Sequence, residues 1–202
     1  ASFQEVQWVV LAYLLAITTM IVSVGRLGDI IGRRRLLLAG IILFTTASLL
    51  CGAAPTLWLL IAARALQGLG AAIMLALAMA FVGETVTKDK IGSAMGLLGA
   101  TSAIGTALGP SLGGVLIAAL GWQAIFLVNV PLGVLAFAIA ARYLPIDSRE
   151  PKKEEAGFDV VGARLLALTL GACALAMTVG RGSFGPLHLG LLLAAGAGAG
   201  LF

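Results

Sequence analysis

Charge is nearly absent from this chain over stretches long enough to cross a lipid bilayer. That spacing constrains the fold more than any single motif does. Residues 6–25 and 36–63 carry no charged side chain, and after Arg64 neither do residues 65–83. Residues 91–141 form one uncharged run too long for a single helix, and Gly121-Trp122-Gln123 divides it. Residues 165–180 and 182–202 complete the series. A bilayer core is about 30 Å thick, so a crossing helix needs roughly 20 apolar residues. Seven spans are therefore expected, at about 8–25, 36–54, 57–82, 92–119, 123–142, 160–179 and 187–202. They are expected to be helices, because open strands leave backbone groups unpaired in lipid and the alternation of a membrane barrel is absent.

Composition agrees. Hydrophobic residues make up 60% of the 202 and charged residues only 11%, against roughly 45–50% and about 25% in average soluble domains. A soluble enzyme, a nucleic-acid binder and a disordered chain are all poor fits. The net charge of +4 is explained by topology. Alternating the connections puts Arg26, Arg33, Arg34, Arg35, Lys88, Lys90, Arg142, Arg149, Lys152 and Lys153 on one side, with Arg164 close by, and only Arg181 on the other. By the positive-inside rule, loop 26–35 is cytoplasmic and segment 1–7 extracytoplasmic. Trp8, Trp58 and Trp122 fall at outer helix ends and Tyr143 at an inner end, as an interfacial aromatic belt requires. No nucleic-acid partner is implied.

Chemistry-bearing residues are few. One histidine (His188) and two cysteines in apolar runs (Cys51, Cys173) make neither a metal site nor a disulfide framework, and no nucleophile-elbow, P-loop or zincin motif occurs. An enzyme is not expected, nor is any metal or cofactor. The chain starts at Ala1 and stops at Phe202 inside an apolar run, so a piece of a longer protein is expected. Residues 145–158, Pro-bearing and charge-rich, read as a cytoplasmic linker between a bundle over 1–144 and two further spans over 159–202.

Three strings suggest mechanism. In Gly25-Arg-Leu-Gly28-Asp29-Ile-Ile-Gly32-Arg33-Arg34-Arg35, a tight turn between two antiparallel helices is expected, with Asp29 four residues before Arg33 and able to pair with it if the turn is helical. In Arg64-Ala-Leu-Gln67-Gly68-Leu-Gly70-Ala71-Ala72, the arginine lies about seven residues, roughly 10 Å, inside its span. A charge at the centre of a span costs about 2.5–3.5 kcal/mol on insertion scales. Arg64 either snorkels to the outer interface or faces protein. Positions 64, 67, 68 and 71 share one polar, small-residue side, which favours protein. In Gly105-Thr-Ala-Leu-Gly109-Pro110-Ser-Leu-Gly113-Gly114, glycines four apart make a face for close helix contact, and Pro110 takes the helical partner from the Thr106 carbonyl.

The Gly25–Arg35 string resembles the signature loop between the second and third helices of the major facilitator superfamily. The resemblance implies that Asp29, Gly32, Arg33 and Arg34 form a conformational latch between two helical halves. The string that starts at Arg64 is similar to the family's fourth-helix motif, which makes Arg64 and Gln67 candidates for proton coupling. The glycine-rich string resembles the antiporter signature of the fifth helix, placing Gly105, Gly109, Pro110, Gly113 and Gly114 in an exporter. Trp122 to Gly133, with Asn129 and Pro131 as pore-lining or capping residues, and Phe158 to Gly162 are similar to the fourteen-helix drug:proton antiporter branch.

The resemblance implies an all-α polytopic bundle, partial because the first family helix and the second half are missing. It also implies an inner-membrane multidrug efflux protein whose partners are protons, a small-molecule substrate, the bilayer and the rest of its own chain. All nine acidic residues lie at helix ends or in connections, so the coupling carboxylate is expected in the missing helices, with Arg64 as its partner. A transporter of one metabolite is the alternative, and a non-transporting membrane enzyme or subunit a remote one.

Overall fold

The computed structural model describes residues 3–144. Expectations for the linker 145–158 and the two later spans, with Cys173 and His188, lie outside the described residues. Six helices follow one another: α1 (Phe3–Ile31), α2 (Arg33–Gly52), α3 (Leu57–Thr85), α4 (Ile91–Leu120), α5 (Ala124–Leu127) and α6 (Asn129–Tyr143). Four stretches, α2, α3, α4 and α5–α6 together, are long and apolar enough to cross a membrane, and α1, bent by 55° between Ile21 and Ser23, makes a fifth. These coincide with the first five spans expected from the spacing of charge.

The Arg-rich connection differs from the expected turn. Helix α1 runs through Arg26 to Ile31 and α2 begins at Arg33, so a single residue, Gly32, reverses the chain. Nothing in Arg26–Ile31 breaks a helix, and Leu27 packs on the core cluster. Gly32 has φ 101°, a backbone region that glycine enters without the Cβ penalty of other residues. Its amide donates to the Gly28 carbonyl at 2.9 Å and its carbonyl accepts from Leu36 at 3.0 Å. One residue thus closes α1 and opens α2. At the opposite end, the Thr56 side chain accepts from the Leu59 amide and caps α3.

Helix α3 lies between α1 and α2, while α2 carries α5 and α6 on its other flank. Registers follow from close approaches. A Cβ added at Gly68 would lie 2.5 Å from the Tyr13 carbonyl oxygen on α1, and one at Gly70 would lie 2.7 Å from the Phe44 nitrogen on α2. Two glycines two residues apart on α3 therefore face two different helices, and each admits a neighbouring backbone. Toward the Arg-rich end, Val24, Leu36 and Leu77 form a buried cluster joined by Met20, Leu27, Leu37, Ile73, Ala76 and Phe81.

Among the described residues, helix α4 touches only α3 and α5, and none of its residues is buried. A Cβ added at Gly105, Gly109, Gly113 or Gly114 would meet nothing within 4 Å. The expected glycine seam thus lies open among the described residues. Gly121, at φ 87°, ends α4 and turns the chain into α5.

Candidate functional site

The tryptophan-rich half of the bundle holds a polar cluster built on Arg64. Its guanidinium turns inward, toward protein. The Nε–H donates to the Val9 carbonyl on α1 at 3.1 Å, and Nη1 donates to Oε1 of Gln67 at 2.8 Å. The guanidinium carbon lies 4.3 Å from the centre of the Tyr13 ring and 5.5 Å from that of Phe126. Two aromatic faces flank the cation, a favourable placement for a charge out of bulk water. Nη2 makes no hydrogen bond among the described residues.

Gln67 and Ser48 are the buried polar side chains of the described residues, at 2% and 0% exposure. The Gln67 carboxamide donates through Nε2 to the Ser48 hydroxyl at 2.7 Å. Ser48 donates in turn to the Phe44 carbonyl one turn earlier, also at 2.7 Å. The buried Cys51 thiol points at Oε1 of Gln67 from 4.0 Å. Burying such groups costs free energy unless each is bonded, and here each is.

The spacing of residues 64, 67, 68 and 71 made the inward face of Arg64 legible. Ser48, Tyr13, the Val9 carbonyl and Phe126 were missed, since they arrive from α2, α1 and α5 through helix register. A serine one helical turn before Cys51 in an uncharged span was the available hint.

At the Arg-rich end the Asp29–Arg33 pair forms. Nη2 and Nε of Arg33 donate to one carboxylate oxygen at 2.9 and 3.1 Å, with the Asp29 side chain 61% exposed. Arg34 points elsewhere: Nη2 donates to the Ala141 carbonyl at 2.6 Å, which ties the start of α2 to the last turn of α6. Arg33 and Arg34 are thus neighbours in sequence that join different helices.

Asn129 donates its amide to the Ile125 carbonyl at 3.2 Å, across the break between α5 and α6, while Pro131 is exposed. The carboxamide is engaged with the preceding helix, α5. Among the described residues no group of three or more His, Cys, Asp or Glu side chains is placed to hold a metal ion.

Comparison with known proteins gives a consistent result. The chain is 38% identical over 175 residues to the multidrug resistance protein Stp of Mycobacterium tuberculosis, covering 86% of this chain and 32% of that protein. It is 34% identical over 173 residues to the multidrug transporter protein MdtP of Bacillus subtilis, covering 86% of this chain and 31% of the relative. It is also 34% identical over 166 residues to the riboflavin transporter RibZ of Clostridioides difficile, covering 82% and 36%. The chain spans about a third of the length of these relatives. The family profile described as Major Facilitator Superfamily matches residues 1–202. With its bundle of bilayer-length helices and its match to the family over the whole length, the chain is a multi-pass membrane protein and belongs to the major facilitator superfamily of transporters.

Proposed function

We propose that the chain is the amino-terminal part of a proton-coupled exporter of small lipophilic or cationic compounds, working by alternating access in the inner membrane. The observation that supports this most is Arg64: a cation held between two rings inside the bundle with one nitrogen, Nη2, left open. A guanidinium does not give up its proton under ordinary conditions. Its part is therefore to hold a carboxylate, contributed by the rest of the protein, in its charged form until substrate or a proton displaces it. Gln67 keeps the guanidinium in place. The multidrug names of two relatives favour a broad substrate range.

The other strings fit this cycle. Asp29, Gly32, Arg33 and Arg34 would latch the Arg-rich end, taken as cytoplasmic, in the inward-closed arrangement. The open glycine face of α4, with Gly109 and Pro110 at its centre, would shape the moving wall against helices of the second half. Asn129 and Pro131 would lie near the outer part of the path. Residues 145–158 would link this bundle to the next spans. No metal or cofactor takes part in this reading.

The test uses the full-length protein in a host without its own efflux pumps. Ethidium efflux is expected, with loss on adding a protonophore and loss in Arg64→Ala. Efflux that persists with the protonophore removes proton coupling. Labelling of Lys88 from outside intact cells would invert the orientation. A second reading, export or import of one metabolite, is favoured by the riboflavin transporter relative. Riboflavin movement without ethidium movement selects it.

A further inference from the structure

We infer that Ser48 is a positioning residue that anchors Gln67 and, through it, Arg64, and that the Ser48–Gln67 pair is a fixed anchor and not a path for protons. The inference rests on the reading of Arg64 as the coupling residue.

Donor and acceptor capacities orient the chain from both ends. The Phe44 carbonyl can only accept, so the single hydroxyl proton of Ser48 is spent on it. The Ser48 oxygen must then accept, and the Gln67 group facing it must be the NH2 end. Oε1 is thereby turned toward Arg64, whose guanidinium can only donate. The two requirements agree, and the Cys51 thiol directs a second donor at the same Oε1. A proton wire needs members that take a proton on one side and release it on the other. Here the far end is a backbone carbonyl inside a helix and the near end a cation that keeps its protons. Proton movement therefore does not run through Ser48 and Gln67.

Ser48 stands on α2, while Gln67 and Arg64 stand on α3. The anchor thus holds the guanidinium relative to a different helix from the one that carries it. Removing the hydroxyl leaves Nε2 of Gln67 without its acceptor in a sealed place, and the carboxamide no longer has a fixed position from which to hold Nη1. Among the described residues, the side chains facing Arg64 are the Tyr13 phenol from α1, the Cys51 thiol from α2, Phe126 from α5 and Gln67 from α3 itself. None is a carboxylate, so the pH response of this site belongs to a carboxyl group of the remaining chain acting against the guanidinium.

The experiment is the pH profile of ethidium efflux by the full-length protein. Ser48→Ala is expected to move the midpoint toward alkaline pH by about half a unit or more, because a carboxylate facing a loosely held guanidinium binds its proton more tightly. Ser48→Thr keeps a hydroxyl and is expected to keep the midpoint. Ser48→Ala combined with Gln67→Leu is expected to match Gln67→Leu alone, as for residues acting in one chain. If Ser48→Ala fails to accumulate in the membrane, Ser48→Cys, a weak donor of similar size, is read for the same direction.

An unmoved midpoint with efflux lowered equally at every pH would overturn the inference, since that is what a merely structural serine produces. Additive shifts of the two variants would overturn it as well. If wild-type efflux shows no pH dependence, the coupling reading of Arg64 fails. The anchor is then judged by infrared spectroscopy of the purified full-length protein, from the S–H stretching band of Cys51 isolated by subtracting the Cys51→Ser spectrum. A band displaced in Ser48→Ala supports the anchor, and an unchanged band refutes it.

Discussion

Substituting Gly68 by alanine tests the packing and the arginine cluster at once. The new Cβ would sit 2.5 Å from the Tyr13 carbonyl oxygen, 2.8 Å from the Ala16 Cβ and 3.2 Å from the Tyr13 carbonyl carbon. Two of these atoms are backbone and the third is a methyl fixed to it, so no side chain can swing aside. Ordinary contact begins at 3.4 Å, and α1 and α3 must part by about 0.9 Å. The Val9 carbonyl lies one helical turn before Tyr13 on the same helix. The same displacement stretches its 3.1 Å bond from Arg64 to about 4 Å, beyond hydrogen-bonding distance. Overpacking of this kind costs about 1–3 kcal/mol, and a hydrogen bond from a charged donor adds about 1.5–3 kcal/mol. Helix propensity returns at most about 1 kcal/mol. Thermal unfolding of the purified full-length protein, read beside ethidium efflux, should show a destabilised and impaired variant. A Gly68→Ala protein that unfolds with wild type and transports at the wild-type rate would refute the close approach of α1 and α3.

The other predictions concern the ends and the second flank of the bundle. Asp29→Asn breaks an exposed i,i+4 pair worth about 0.3–0.5 kcal/mol. Its unfolding temperature should therefore barely move, and a large loss of efflux would point to the latch. Gly32→Ala places a Cβ at φ 101° and should cost about 1–2 kcal/mol in thermal unfolding. Gly133→Ala drives a Cβ into the Thr45 side chain and should cost about 1–3 kcal/mol. Adding Thr45→Ala, which removes the clashing hydroxyl and methyl, should recover part of that loss in the same assay. Arg34→Ala removes the bond to the Ala141 carbonyl and should lower stability by about 1.5–3 kcal/mol, and Arg34→Lys by less.

Much of this architecture is legible along the chain itself. Helix placement follows from where charges stand, because a lipid core tolerates about 20 residues of helix and little else. The Asp29–Arg33 pair is a matter of four-residue spacing, and it forms across Gly32, from the end of α1 to the start of α2. The inward direction of Arg64 follows from the small and polar residues one and two turns along its own face. These are local properties, carried by residues close in the chain.

The rest required the packed bundle. Val9 and Tyr13 lie more than fifty residues before Arg64, Ser48 comes from α2, and Phe126 from beyond α4. Their meeting depends on the register between helices, set where Gly68 and Gly70 admit two backbones to the same stretch of α3. The division of labour between Arg33 and Arg34, one pairing within the turn and the other reaching α6, was equally invisible. A one-dimensional pattern states which face of a helix is polar. Which atoms meet that face depends on how closely the neighbouring helices approach.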